Sequence, residues 1–180
     1  MKKNKGGQVW IETVLYTLIG LALIGLALGF IMPKINEARD KAIVEQAINS
    51  LSEFDGKINE VIETGTGNVR QIEIYMKKGE LEINSGDYVP GGKSEMKITL
   101  SELSKPYSEP NVTISFGRVQ VMTEEGQKTS SVSLKVSYSY NITFNGLNQN
   151  KKFTPASTPY KFSIKNNGAW INIEEISGQS

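Results

Sequence analysis

MKKNKGGQVWIETVLYTLIGLALIGLALGFIMP, Met1 to Pro33, decides how this chain is organised. Lys2, Lys3 and Lys5 lead into Gly6-Gly7-Gln8, and the apolar run that follows carries a single charge, Glu12. Thr13 to Met32 adds 20 uncharged residues, about the length an α-helix needs to cross a bilayer. Lysines on one flank hold that flank in the cytoplasm. The sequence therefore predicts one membrane-inserted helix with its N-terminus inside.

Two simpler readings compete. A secretory signal peptide has an apolar stretch of roughly 7–15 residues and then a small-x-small cleavage site, whereas this run is longer and leads through Pro33 into Lys34-Ile35-Asn36-Glu37-Ala38-Arg39-Asp40. A plain signal anchor for one cell-surface domain explains the length. It explains neither the Gly-Gly-Gln boundary nor the acid just inside the apolar segment.

Lys5-Gly6-Gly7-Gln8-Val9-Trp10-Ile11-Glu12 resembles the class III signal peptide of archaeal type IV pilin-like proteins. In that family a membrane-embedded prepilin peptidase cuts after Gly or Ala, usually before Gln, and leaves the apolar helix on the mature protein. The resemblance implies cleavage between Gly7 and Gln8, which makes Glu12 the fifth residue of the mature chain, where the family carries a glutamate. Two positions depart from the pattern: Trp10, where archaeal members often have Ser, and Thr13, where an aromatic often follows the glutamate. The motif covers about eight residues and the apolar helix about 25 more; the C-terminal two-thirds of the chain carries no such resemblance.

The chemistry of this boundary also follows from the residue types. Glycines at a scissile position let the backbone enter a protease groove, because they carry no side chain and accept unusual φ/ψ. The whole chain has 20 Lys+Arg against 19 Asp+Glu, and losing Lys2, Lys3 and Lys5 leaves 17 against 19, a formal charge of −2. Without its basic flank the apolar helix can be drawn out of lipid. A carboxylate beside hydrocarbon costs a few kcal/mol and marks a functional position, and the partner expected for Glu12 is the new α-amine of Gln8, on the same chain or on a neighbour, where it would set the axial register of a polymer. The competing reading of Glu12 is an acid favoured by the helix macrodipole near an N-terminus.

Gly20, Gly25 and Gly29 fall within the run, the last two as G-x-x-x-G, a spacing that permits close helix packing. Pro33 at its outer end removes a backbone donor. Its two competing readings are a flexible joint in a filament and a membrane-exit kink with no mechanical role.

Beyond Pro33, Ala38, Ala42, Ala47, Ile48, Leu51, Phe54, Ile58, Val61 and Ile62 recur at helical steps with charged residues between them, which predicts an amphipathic helix. Gly65-Thr66-Gly67-Asn68 supplies its stop. A helix from Gln8 to Thr64 would be roughly 85 Å long. From Val69 onward the period becomes two. About eight strands are predicted around 71–76, 79–83, 96–100, 112–116, 119–122, 132–140, 160–164 and 169–173. The first two are joined by a Lys77-Lys78-Gly79 turn, and further turns fall at Pro90-Gly91-Gly92, Glu124-Glu125-Gly126, Asn145-Gly146 and Asn166-Asn167-Gly168, compositions suited to φ > 0. A β-region of about 110 residues is long enough to bury a core of its own, so a fragment from Gly65 to Ser180 is expected to fold alone.

Catalytic readings lack parts. With no His and no Cys, imidazole bases, thiol nucleophiles and the common zinc sites are excluded. Glu124-Glu125 and Glu174-Glu175 are adjacent, and adjacent strand side chains face opposite ways. Gly65-Thr66-Gly67 lacks the third glycine and preceding strand of a dinucleotide loop. Lys and Arg are dispersed, giving no basic patch for nucleic acid. Two sequons, Asn111-Val112-Thr113 and Asn141-Ile142-Thr143, are candidate N-glycosylation sites on the part expected outside the cell.

The expectation is an α+β chain in three parts: a cleaved leader at 1–7, an N-terminal helix at 8–64 with its membrane and polymerisation segment at 13–32, and a β-rich extracellular head at 65–180. The helix would pack on an antiparallel sheet or sandwich. The resemblance implies a structural subunit of a surface filament, first held in the membrane as a single-pass precursor and then assembled with identical or related subunits. It also implies a prepilin peptidase, an assembly ATPase and a membrane platform protein as partners; no cofactor, metal or catalytic residue is expected. The alternatives are a signal-anchored cell-surface binding protein that never polymerises, and an archaellin or minor pilin.

Overall fold

The computed structural model of the protein describes residues 5–88 and 93–176, by backbone alone at 5–9 and 88. Lys2, Lys3 and the expected Pro90-Gly91-Gly92 turn lie outside the described residues. The first element, α1, runs over Lys5–Glu63, 59 residues with Pro33 inside it. The chain divides into two compact units, Met1–Arg39 and Asp40–Ser180, so the division falls inside α1 and not at its end near Gly65.

In the first unit α1 is apolar and solvent-facing. An 18-residue stretch of it has none of its residues buried, and the helix is long and apolar enough to cross a membrane.

In the second unit α1 has one buried stripe: Val44, Ile48, Leu51, Phe54, Ile58 and Val61, at the three- and four-residue steps that keep side chains on one face. Ala38 and Ala42, expected in this stripe, are exposed, and Val44 takes the position that begins it. The helix ends where expected. Gly65 (φ 90°) donates to the Ile62 carbonyl at 3.2 Å, satisfying one of the helix's last orphan acceptors, and the Asn68 amide donates to the Thr64 carbonyl just past its end at 2.7 Å.

Ten strands follow among the described residues: β1 (Val69–Ile74), β2 (Glu80–Asn84), β3 (Ser94–Leu103), β4 (Thr113–Phe116), β5 (Val119–Glu125), β6 (Ser130–Tyr138), β7 (Asn141–Phe144), β8 (Asn150–Phe153), β9 (Tyr160–Asn166) and β10 (Trp170–Glu175). They form a four-stranded sheet ordered β1-β9-β10-β7 and a six-stranded sheet ordered β4-β5-β6-β3-β2-β8. The unit Asp40–Ser180 is thus a two-sheet α+β fold with its own part of α1 packed on the strands.

Three expectations are corrected. The sheets are not wholly antiparallel, since β10 pairs with β7 in parallel, Ile171 opposite Ile142. Lys77-Lys78-Gly79 does not close a hairpin: β1 pairs with β9 while β2 pairs with β3 and β8, so this corner carries the chain from one sheet to the other. Gly79 (φ 91°) is required there, because a Cβ would lie 2.5 Å from the Thr99 carbonyl oxygen. Gly126 is absent from the positive-φ glycines; its constraint is space, with a Cβ placed 2.7 Å from the Thr129 carbonyl oxygen. Asn145 (φ 51°) and Gly146 (φ 75°) do form a two-residue turn, closed by reciprocal bonds between Phe144 and Leu147 at 3.0 and 3.1 Å, after which β7 and β8 part into different sheets.

Aromatic rings join the layers. Phe153 of β8 lies 5.0 Å from Phe162 of β9 and 5.6 Å from Phe144 of β7, and Phe54 of α1 lies 5.6 Å from Phe162. Alternating inward residues complete the core, among them Leu81, Ile83, Met96, Ile98, Val121, Leu134, Ile164 and Ile173, all almost fully buried.

Candidate functional site

The candidate site is the apolar half of α1. Leu, Ile and Ala propagate a helix readily, and here they also leave it apolar on every side: Trp10, Tyr16, Leu21, Leu26 and Phe30 are each more than 60% exposed. Exposed apolar surface of this extent marks an interaction face. Glu12 is the one charged residue within it and is exposed. One turn on, the Thr17 hydroxyl donates to the Thr13 carbonyl at 2.8 Å, which satisfies a polar side chain within the helix.

The glycines sharpen this picture. A Cβ added at Gly20, Gly25 or Gly29 would meet nothing within 4 Å, so no contact among the described residues requires glycine there. Each helical glycine costs about 1 kcal/mol relative to alanine, a cost that close approach of another helix would offset. The helix continues through Pro33, whose missing N–H leaves the Gly29 carbonyl without its usual donor. Gly7 and Gln8 fall in the first turns of α1, where the backbone is helical; their side chains lie outside the described residues.

On the head, two clusters fix α1 to the strands. Asp55, buried on the helix, accepts from Arg118 at 3.0 Å and from the Asn59 amide at 3.2 Å, while Arg118 also donates to the Ser137 carbonyl and lies 5.3 Å from the Tyr138 ring centre. Asp40 accepts from both the backbone N–H and the hydroxyl of Ser104, at 2.7 and 2.6 Å, and sits 3.6 Å from Lys78. Burial pushes the Asp40 carboxyl up, but the Ser104 bonds and the Lys78 charge outweigh it, so the group titrates below the usual carboxylate value. Sequence reading missed both clusters. The bonds that Asp40 and Asp55 accept from Ser104 and Arg118 span 64 and 63 residues of sequence, and no local pattern links them.

The sequons differ in their surroundings. Asn111 (φ 61°) is exposed at the start of β4, as is Thr113, and only its backbone is engaged, donating to the Thr123 carbonyl at 2.8 Å. Asn141 is half-buried in β7. Its amide donates to Asn148 at 2.8 Å, its carbonyl accepts from Ser94, and Thr143 is buried against Asn172 at 2.9 Å. Asn111 therefore has the geometry of a modifiable side chain, and Asn141 that of a structural one.

No protein-family model, curated protein or solved structure matches this chain.

Proposed function

We propose that this chain is a structural subunit of a type IV pilus-like surface filament, stored in the membrane through its N-terminal helix and assembled through the same helix after cleavage between Gly7 and Gln8. The observation that carries the reading is the apolar half of α1, none of it buried from Trp10 to Ile35, bearing one carboxylate and three glycines that nothing among the described residues explains. A signal anchor would need the apolar length alone. A polymerising helix needs all three features: apolar surface to bury in a bundle, small residues for close approach, and a charge to fix register against the α-amine of a neighbouring Gln8. The partners follow from the same reading: a prepilin peptidase, related subunits, an assembly ATPase and a membrane platform protein. The precursor would lie in the cytoplasmic membrane and the product outside the cell.

Glu12 supplies the test. Glu12→Val is expected to be cleaved and retained in the membrane yet scarce in filaments sheared from cells, whereas Glu12→Asp, which keeps the charge with a shorter reach, assembles in part. Immunoblots of sheared and membrane fractions read this out. Wild-type amounts of Glu12→Val in the sheared fraction would remove the amine–carboxylate register from the account.

A further inference from the structure

Alternation along β3, β5 and β6 sends Met96, Ile98, Val121, Leu134 and Val136 into the core and leaves Glu95, Lys97, Gln120, Ser133 and Lys135 on the opposite face. A concavity of about 430 Å³ lies over that face, within the range of small-molecule sites. Register places Lys97 directly opposite Lys135 on adjacent strands. Like charges in that relation repel, so a carboxylate between them is expected. None is in place: among the described residues neither lysine makes an ion pair. Glu82, opposite Lys97 on its other side, is taken by Lys152 at 2.6 Å.

We propose that this face binds an acidic saccharide, a sugar bearing both a carboxylate and hydroxyls. The opposed Lys97 and Lys135 supply the charge for the carboxylate. Glu95, Gln120, Ser133 and Thr113 ring the same concavity with groups that accept from and donate to sugar hydroxyls, and Met122 gives an apolar floor for a ring face. A sugar hydroxyl both donates and accepts, and so suits a ring that mixes a carboxylate, an amide and two hydroxyls. The site belongs to the unit Asp40–Ser180 and stands independently of how α1 is used.

The test is calorimetric titration of the full chain in detergent micelles with trigalacturonate, with maltotriose as the neutral sugar and triglutamate as the acidic peptide. Trigalacturonate is expected to bind, more weakly as salt rises, and maltotriose and triglutamate to bind at least tenfold more weakly or not at all. The double variant Lys97→Gln, Lys135→Gln is expected to lose about tenfold or more, equivalent to about 1.4 kcal/mol. Lys97→Arg with Lys135→Arg retains binding, and Lys161→Gln, on the other sheet, leaves it unchanged. A thermal melt of the double variant at or above wild type shows that the fold is intact, since a repulsion has been removed. No heat with trigalacturonate at millimolar concentration, equal binding of maltotriose or triglutamate, or undiminished binding by the double glutamine variant would each overturn the proposal.

Discussion

Removing the helix stripe from the head should unfold it. Val44, Ile48, Leu51, Phe54, Ile58 and Val61 are each at most 7% exposed, and full burial of such side chains contributes about 1.5–3 kcal/mol apiece. Six of them sum to roughly 9–18 kcal/mol, or about 5–16 after allowing for residual burial in the unfolded chain. A domain's whole net stability is about 5–15 kcal/mol. A fragment from Gly65 to Ser180 therefore has little or nothing left, and it also exposes the inward faces of β1 and β9 and leaves Arg118 without Asp55. A fragment from Asp40 to Ser180 keeps the stripe and should be folded, soluble and monomeric. Within it Phe54→Ala, which empties the contact with Phe162, should cost about 3–5 kcal/mol and lower the melting midpoint by roughly 10–20 °C. Circular dichroism melts and size-exclusion chromatography of the two fragments and the variant decide the matter. A cooperative melt for Gly65–Ser180 within a few degrees of Asp40–Ser180 would refute the claim that α1 completes the core.

Two further outcomes are expected. Gly7→Val should block processing and leave a membrane-held precursor heavier by the seven leader residues, read by mass spectrometry of the membrane fraction; normal maturation would remove the peptidase from the account. Asp40→Ala should destabilise the Asp40–Ser180 unit by about 1–2 kcal/mol at neutral pH, through loss of the Ser104 bonds. Because the folded carboxyl titrates below its unfolded value of about 4, that contribution is present above pH 4 and fades as pH falls through the lowered folded value. Wild-type and variant melts should therefore converge in acid, and a gap independent of pH down to the lowest measurable value would contradict the assignment.

The helix and eight of the strands were legible because their signals are local. A stop at Gly65-Thr66-Gly67, periods of 3.6 and then 2, and Asn-Gly turns each follow from a few adjacent residues. β7 and β8 were not legible for the same reason: Ile142, Thr143 and Phe144 are consecutively buried and show no alternation, and β8 is a polar edge strand whose one buried residue is Phe153. The parallel β7–β10 pairing and the division of β1 and β2 between sheets depend on contacts between distant segments. So do the Asp40 and Asp55 clusters and the opposition of Lys97 to Lys135. At the N-terminus the sequence is nearly the whole of the argument. The structure adds that the apolar helix is exposed and that its glycines have no partner among the described residues.

The central claim, that α1 is a processed and polymerising helix, is tested most directly by the N-terminal residue of the protein recovered from sheared surface filaments. Edman degradation or terminal-peptide mass spectrometry should return Gln8, followed by Val9, Trp10, Ile11 and Glu12. Recovery of an intact Met1 or Lys2, with the protein confined to the membrane fraction, would contradict the account and leave a signal-anchored surface protein in its place.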